Sequence, residues 1–246
     1  AGVESPIVRE LAAKSFAPVE SFAMHGDARW TVRDVRFGAE TTRFAVLCEG
    51  AHWGDVETRL AGAFNVRNCL ATIAVAEALG ADRAKVRAGL RTFQSVRRRM
   101  EVRGEVAGVT VIDDFAHHPT AVRETIEAAR QRYGSRPIVA VFEPRSYTAQ
   151  RREFQTDYEQ AFEQAGTVIM AGLFHPERYT AATAMDPNEL VAAWRAQGKT
   201  AEYIPAPDDI IVYLDKLLRG DEVVLIMSNG GFGGIHDKLL KALSAR

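Results

Sequence analysis

Residues that could do chemistry stand close together in VIDDFAHHP (111–119). Asp113 and Asp114 end an apolar run, and His117 and His118 follow just before a proline. Carboxylate and imidazole groups suit several divalent metal ions, whereas the structural alternative has His118 capping a helix and the aspartates bonded to backbone or solvent. A third interpretation is a ligand contact at a helix N-terminus, where unpaired N–H groups favour anions. The spacing favours the structural alternative over a metal site, and the strand-end position keeps the third interpretation open.

Two further loops that follow apolar runs are rich in polar residues or glycine. They are EPRSYT (143–148) and SNGGFGG (228–234). The glycines of the second loop suit either a tight turn with positive φ or a close backbone approach to a ligand. They do not fit the dinucleotide pattern G-x-G-x-x-G.

A basic run, Arg97 to Arg99 with Arg103 nearby, precedes the VIDDFAHHP segment. Such a run is usually a solvated face, but the planar fork of arginine also binds phosphate oxygens in pairs. No complete G-x-x-x-x-G-K-[ST] occurs in the chain. Gly198-Lys199-Thr200 lacks the earlier glycine and leaves a helix for a strand, the reverse of a P-loop.

The second half of the chain alternates short apolar runs with helical patterns. We predict strands at 109–113, 137–143, 167–171, 201–204 and 222–228. Helices are predicted at about 119–133, 150–165, 186–197, 208–218 and 235–243. This alternation is typical of a mostly parallel, doubly wound sheet. Ligands of such sheets bind at the carboxyl ends of the strands, where the three loops lie.

The first half has a different texture. Three short runs at 30–37, 43–50 and 55–62, punctuated by glycines, predict a small antiparallel sheet. Helices are predicted at about 66–79 and 83–93. The fold class is therefore α/β, a Rossmann-like parallel sheet preceded by a small antiparallel sheet with two helices.

Composition limits the partners. The 246 residues carry a net charge of −1, which gives no electrostatic case for nucleic acid or an anionic membrane. Cys48 and Cys69 are the two cysteines, so a reducing compartment is expected and a cysteine-based zinc site is not. No apolar run approaches the ~20 residues of a membrane span, and we predict a soluble cytoplasmic protein. Because the chain opens AGVES, we expect it to be a piece of something longer.

Five stretches in the same order carry a family resemblance. They are GAFNVRNCLATIAVAEALG (62–80), VRRRMEVRG (96–104), VIDDFAHHPTAV (111–122), FEPRSYT (142–148) and MSNGGFGGIHDKLL (227–240). Together they resemble the Mur ligase family, well over residues 64–246 and more loosely before them. EPRS and SNGGFGGIH favour the murein-recycling branch, which adds a cell-wall tripeptide, over the branch that adds L-alanine.

The resemblance implies that residues 1–98 are the C-terminal part of the central ATPase domain and residues 99–246 the C-terminal Rossmann-like domain. It implies an ATP-dependent ligase that joins L-Ala-γ-D-Glu-meso-diaminopimelate to UDP-N-acetylmuramate through an acyl phosphate, in peptidoglycan recycling. Such chemistry depends on positioning and on charge stabilisation of the phosphoryl group. ATP and Mg²⁺ are implied, the metal held mainly by a P-loop part of the central domain that this sequence lacks. The chain alone is therefore predicted to be inactive.

The resemblance also assigns residues. It places nucleotide contacts at Asn65, Asn68, Arg98, Arg99, Asp114 and His117, with Arg99 and His117 as catalytic residues. Phe64 stands where the family usually has a histidine. It assigns contacts with the amine or peptide substrate to eight residues: His118, Arg145, Ser146, Ser228, Asn229, Gly230, Gly231 and Phe232. An arginine suits this task because the tripeptide is rich in carboxylates. No metal ligand is assigned in this chain.

Two alternatives stay open. The chain could belong to another amide-forming ligase of the family, such as UDP-N-acetylmuramate–L-alanine ligase, which a panel of amine substrates would separate. It could also be a non-catalytic α/β binding module descended from a ligase. A reading frame that continues upstream into a P-loop would favour the enzyme.

Overall fold

The computed structural model describes residues 1–180 and 182–246, which form two compact units, 1–95 and 96–246. The boundary lies slightly before the predicted division at 98/99. Arg98 belongs to the second unit because its side chain lies near Asp113 and its carbonyl accepts from the Phe115 N–H. The assignment of the two units to domains of a longer ligase stays a prediction.

The first unit is a three-stranded antiparallel sheet with helices, as predicted. Its strands follow one another in the order β1-β2-β3, and each pair is antiparallel. The elements are α1 (Pro6–Ala13), β1 (Trp30–Phe37), β2 (Thr42–Cys48), β3 (Ala51–Thr58), α2 (Ala63–Ala78) and α3 (Arg83–Thr92). Helix α1 was not predicted, and it has no buried residue.

The core of the first unit forms where α2 packs on the sheet. Apolar residues at helical spacing on α2, including Val66, Leu70 and Ile73, are fully buried. They pack with Trp30 and Trp53, whose rings meet edge to face at 6.3 Å. Burying each such aliphatic side chain stabilises the fold by roughly 1.5–3 kcal/mol.

The second unit is the predicted mostly parallel sheet with helices on both faces. Its strand order is β4-β5-β9-β6-β7-β8, and only β4 runs antiparallel to its neighbour. The strands are β4 (Glu101–Val106), β5 (Val109–Asp114), β6 (Ile138–Phe142), β7 (Thr167–Met170), β8 (Thr200–Tyr203) and β9 (Val223–Met227). The helices are α4 (Pro119–Tyr133), α5 (Gln155–Ala161), α6 (Pro187–Ala196), α7 (Pro207–Leu217) and α8 (Ile235–Ser244).

Both faces of this sheet are covered, which explains why its strands read as continuous apolar runs. Helices α7 and α8 bury residues such as Leu214 and Leu239 against alternate residues of the strands. On the other face the ring of Phe142 packs on Tyr158 of α5, 5.1 Å between centroids. All five residues of the central strand β9 are buried. In the described part of the chain, no helix is long and apolar enough to cross a lipid bilayer.

The carboxyl ends of three strands meet at one edge of the sheet. In the parallel register Asp114 of β5 pairs with Met227 of β9, and Met227 pairs with Phe142 of β6. The loops that follow these residues are therefore neighbours, as the sequence predicted.

One predicted helix is shorter than expected. The pattern predicted a helix over 150–165, but a 3-10 turn covers Arg152–Phe154 and α5 only Gln155–Ala161. The preceding segment is held in a turn because the Ser146 Oγ accepts from the Ala149 N–H at 3.0 Å. Arg151 then has extended backbone and bridges to Ala184.

Strand β4 was not predicted, although it forms a hairpin with β5. The two-residue turn between them is Ala107-Gly108, and both residues have positive φ, 50° and 78°. Such turns match the twist of paired strands and usually carry Asn-Gly. An added Cβ at Gly108 would overlap the carbonyl oxygen of Gly220.

We expect Gly108→Ala to lower the free energy of unfolding by about 2–4 kcal/mol, because it combines a strained φ with a backbone overlap. Gly198→Ala is the matched control, since Gly198 also has positive φ (83°) but an added Cβ meets nothing within 4 Å. The control should cost about 1–2 kcal/mol. Urea denaturation measures both, and equal losses would contradict a role for the Gly220 contact.

Candidate functional site

The site lies at the edge where β5, β9 and β6 end. The Ser228 N–H donates to the Asp114 carbonyl at 3.1 Å, and the Glu143 N–H donates to the Met227 carbonyl at 3.0 Å. These bonds extend the sheet by one residue beyond the strands. They bring the loops 115–118, 143–148 and 228–234 side by side.

The Asp114 carboxylate is committed to the protein itself. It is buried and accepts from the Met100 N–H, the Ala116 N–H (both 2.8 Å) and the Thr125 hydroxyl (3.2 Å). Burial raises the pKa of Asp114, against the opposing effect of the donors from Met100 and Ala116. Asp114 therefore follows the structural alternative, in which an aspartate bonds to the backbone. The family resemblance assigns a nucleotide contact to Asp114. Both oxygens of its carboxylate already accept hydrogen bonds from the protein, so this contact stays a prediction.

Asp113 is a buried carboxylate with two arginines and a histidine around it. Its carboxylate lies 3.5 Å from Arg98 Nε, 3.7 Å from Arg103 Nη1 and 3.3 Å from His236 Nε2. Burial alone would raise the pKa of Asp113, but His236 and Arg98 outweigh it and lower the pKa. His236 Nε2 stands outside hydrogen-bond geometry to Asp113 and has no other hydrogen-bond partner in residues 1–180 and 182–246.

Arg98 closes the glycine-rich loop. Its Nη2 donates to the Ser228 carbonyl at 2.5 Å and to the Gly230 carbonyl at 2.7 Å. Its guanidinium carbon stands 5.1 Å from the ring centre of Phe115. The Arg98 side chain, predicted to reach a nucleotide, therefore holds the 228–234 loop. The Arg98 backbone has a left-handed φ of 60°.

A second set of bonds fixes the same loop from the other side. The Ser228 hydroxyl donates to Glu143 Oε2 at 2.5 Å and accepts from the Gly230 N–H at 2.9 Å. Ser228 is buried. Both the amide and the carbonyl of Gly230 are thus hydrogen-bonded to other residues of the protein, Ser228 and Arg98.

Arg145 is the predicted substrate residue with the most unused bonding capacity. Its guanidinium carbon lies 3.8 Å from the ring centre of Phe174, and its Nη1 is 3.9 Å from Glu143 Oε1. Its side chain is 33% exposed, and across the described residues the guanidinium donates no hydrogen bond to the protein. Its five N–H donors are therefore not used in hydrogen bonds within the described residues.

The two histidines of the first loop differ. His117 Nδ1 lies 2.9 Å from the Phe115 carbonyl, and a carbonyl only accepts, so Nδ1 carries the proton. In the neutral ring Nε2 is then the acceptor. His118 is the exposed N-cap of α4 without a capping side-chain bond, and its ring meets Phe154 edge to face at 5.4 Å.

The other predicted substrate residues have unequal access. Phe232 is 1% exposed and packs in the core beneath α7 and α8, so its side chain does not face a ligand here. The Ser146 hydroxyl is used in its turn. Asn229 Oδ1 is buried and has no hydrogen-bond partner within the described parts of the chain. Gly231 is exposed.

Arg99 is exposed, and its positive charge acts to lower the pKa of Asp114, against the larger effect of burial, which raises it.

Asn65 and Asn68 lie on α2 of the first unit, where they line a cavity of about 500 Å³ whose other walls are largely apolar. An apolar wall with two amides suits a flat heteroaromatic base. Among the described residues there is no group of three or more His, Cys, Asp or Glu that could hold a metal ion.

Three residues that support the site were not predicted from the sequence: Glu143, Phe174 and His236. Glu143 stands in the quoted EPRS motif, directly after a strand, which was a usable signal. Phe174 follows β7, a strand end that the sequence analysis did not single out. His236 follows the glycine-rich loop, and nothing in its neighbours pointed to Asp113.

Comparison with known proteins identifies the family to which this chain belongs. The family model described as "Mur ligase, glutamate ligase domain" matches residues 98–230, more than half of the chain. The chain belongs to the Mur ligase family.

Two curated relatives illustrate the range within the family. A UDP-N-acetylmuramate–L-alanine ligase of Salinibacter ruber is 32% identical over 228 residues, 93% of this chain and 48% of the relative. The UDP-N-acetylmuramate–L-alanyl-γ-D-glutamyl-meso-2,6-diaminoheptandioate ligase of Escherichia coli is 36% identical over 208 residues, 84% of this chain and 43% of the relative. The chain thus spans about half the length of the curated relatives it matches.

Solved structures agree on the fold. A murein peptide ligase of Psychrobacter arcticus has a TM-score of 0.68 at 27% identity and covers 100% of this chain and 51% of its own. A UDP-N-acetylmuramate–alanine ligase of Thermotoga maritima has a TM-score of 0.73 at 20% identity, covering 92% of this chain and 48% of its own. The second likeness shows the fold alone.

We expect Arg98→Ala to loosen the 228–231 loop and to lower the free energy of unfolding by about 2–3 kcal/mol, since it removes charge-assisted bonds and a partner of Asp113. Hydrogen exchange of the Gly230 amide should speed up markedly. The exposed neighbour Arg97 provides the control, and Arg97→Ala should stay within about 0.5 kcal/mol. A slow Gly230 amide in Arg98→Ala would show that Arg98 does not hold the loop.

Proposed function

We propose that this chain supplies the substrate-amine half of an ATP-dependent amide-bond ligase of peptidoglycan recycling. The full reaction joins the tripeptide L-Ala-γ-D-Glu-meso-diaminopimelate to UDP-N-acetylmuramate through an acyl phosphate. The observation that carries the proposal is Arg145, which lies at the strand-end edge and donates no hydrogen bond to residues 1–180 or 182–246. Family membership supplies the reaction class.

The chemistry at this edge suits a carboxylate-bearing amine. A guanidinium binds a carboxylate through two parallel hydrogen bonds, which fix its position as well as its charge. Asn229 adds an amide with an unsatisfied oxygen, an acceptor for a substrate N–H. Binding of this kind holds the amine for attack, and positioning is a main source of rate in such transfers.

The nucleotide contacts are proposed for each unit by itself: Asn65 and Asn68 in the first unit, and Arg99 and His117 in the second. Arg99 would offset phosphate charge, and His117 would present Nε2 as an acceptor or, when protonated, as a donor. The apolar cavity beside the two asparagines fits a nucleobase. We assign no Mg²⁺ ligand to the described residues, which contain no group of three or more His, Cys, Asp or Glu that could hold a metal ion.

The amine substrate distinguishes two members of the family. Several relatives bear the name of the L-alanine ligase, whereas the E. coli tripeptide ligase matches at 36% identity. Arg145 in the EPRS motif favours the tripeptide, because this substrate has additional carboxylates for it to bind. L-Alanine is the second candidate.

A first experiment tests activity. Given ATP, UDP-N-acetylmuramate and the tripeptide, this chain alone should release no ADP in a coupled assay, because it contains no G-x-x-x-x-G-K-[ST] to hold the phosphates. A polypeptide that joins this chain to an upstream P-loop should release ADP only when all three substrates are present. Turnover by the chain alone would contradict the proposed division of labour, and a tripeptide-independent reaction would argue against the ligase.

A second experiment tests the amine. In NMR titrations of the labelled chain, the tripeptide should shift resonances of Arg145 and Asn229 and bind at least about tenfold more tightly than L-alanine, which corresponds to one further charge-assisted contact. Arg145→Lys should reduce this difference. Preferential binding of L-alanine would favour the second candidate, and no binding of either would favour a non-catalytic module.

A further inference from the structure

Arg145 is held in place by groups that are not themselves ligand contacts. One face of its guanidinium lies against Phe174, with 3.8 Å from the guanidinium carbon to the ring centre. Its stem lies against Gly230, where an added Cβ would overlap the Cδ and Nε atoms of Arg145. Glu143 Oε1 is 3.9 Å from Nη1 on a further side.

Each of these neighbours is fixed in turn. The Gly230 amide and carbonyl are bonded to Ser228 and Arg98. The Arg145 carbonyl accepts from Gln150 Nε2 at 3.1 Å, which anchors the backbone that carries the side chain. The guanidinium therefore stands between two fixed surfaces, whereas a long surface arginine ordinarily samples many rotamers.

Phe174 is brought to this position by the pairing of two loops. It follows β7, and the loop it begins returns along the loop that follows β6. Tyr179 donates its hydroxyl to the Tyr147 carbonyl at 2.9 Å, and the Arg152 N–H donates to the Thr183 carbonyl at 2.9 Å. The Phe174 ring is half-buried, and the Arg145 guanidinium lies over it.

We propose that Phe174 is a positioning residue that sets the specificity of this site for carboxylate-bearing amines, by holding Arg145 with its fork directed at the ligand. This inference rests on the proposed function and deepens it. The stacked ring leaves the in-plane N–H donors of the guanidinium free, and those are the donors that a carboxylate needs. Ordering the side chain before binding removes an entropic cost that a free arginine would incur on binding.

The same arrangement explains why Gly230 is glycine. Its backbone φ is not in the left-handed region, so conformation does not require glycine there. The space that a side chain would fill is occupied by Arg145. Phe174 and Gly230 therefore act as the two walls of one slot.

The test compares the chain with its variants Phe174→Leu and Phe174→Tyr in two measurements. The first is the NMR shift of the Arg145 side-chain protons, which a ring at this distance moves upfield. The second is the ratio of dissociation constants for the tripeptide and for the same tripeptide with its carboxylates converted to amides. Phe16→Leu, at a fully exposed aromatic of the first unit, is the matched control.

In the unaltered chain we expect an upfield-shifted Arg145 and a clear preference for the carboxylate form. Phe174→Leu should lose the upfield shift and reduce the preference by about 2- to 30-fold, the span of a cation–π contact. Its affinity for the amide form should not change. Phe174→Tyr should restore both readouts, and Phe16→Leu should behave as the unaltered chain.

The outcomes separate this inference from the proposed function. If Phe174→Leu weakens both peptide forms equally, or neither, the inference is overturned while the proposed function stands. If the unaltered chain prefers the carboxylate form but Arg145 shows no ring shift, the inference is likewise overturned. If the unaltered chain binds neither form, the amine site of the proposed function fails, and the role of Phe174 fails with it.

Discussion

The site depends on the way the backbone of Gly230 is held at both of its polar atoms. Arg98 binds its carbonyl and Ser228 binds its amide, and these two residues are in turn tied to Asp113 at the end of β5 and to Glu143 after β6, the strands on either side of β9. A glycine-rich loop would otherwise have wide conformational freedom. Here the carboxylates at two strand ends restrict it, and the surface against which Arg145 rests follows from that restriction.

This arrangement separates the charged groups into those that build the site and those that face outward. Asp114, Asp113 and Arg98 satisfy one another or the backbone. Arg145 keeps its donors, and His117 keeps one ring nitrogen. Buried polar groups cost stability unless they are paired, and most of this internal set is paired; His236 Nε2 is an exception, since it has no hydrogen-bond partner among the described residues. The few unsatisfied atoms are then informative about where a ligand binds.

The parallel sheet and its strand-end loops could be predicted because covered parallel strands leave a strong signal of short apolar runs between helices. The β4 strand was missed because its turn, Ala107-Gly108, lacks the asparagine that usually marks a two-residue hairpin. The helix predicted from residue 150 was too long because Ser146 and Arg151 make local contacts that compete with helix formation. The roles of Arg98 and Asp114 were beyond the sequence, since a motif identifies a residue but not whether its partner is a ligand or the backbone. Phe174 was missed for a related reason, because its partner Arg145 lies on another loop and only the fold brings them together.

The glycines of SNGGFGG also differ in what they allow a protein engineer to change. At Gly230 an added Cβ would displace the Arg145 side chain, and at Gly233 and Gly234 the backbone is left-handed, with φ of 59° and 70°. Gly231 has neither constraint, since it lacks positive φ and an added Cβ there meets nothing within 4 Å. Of these four glycines, Gly231 is therefore the place to graft new side chains beside the proposed amine site. A library confined to this codon would vary the ligand preference of the site while leaving its scaffold intact.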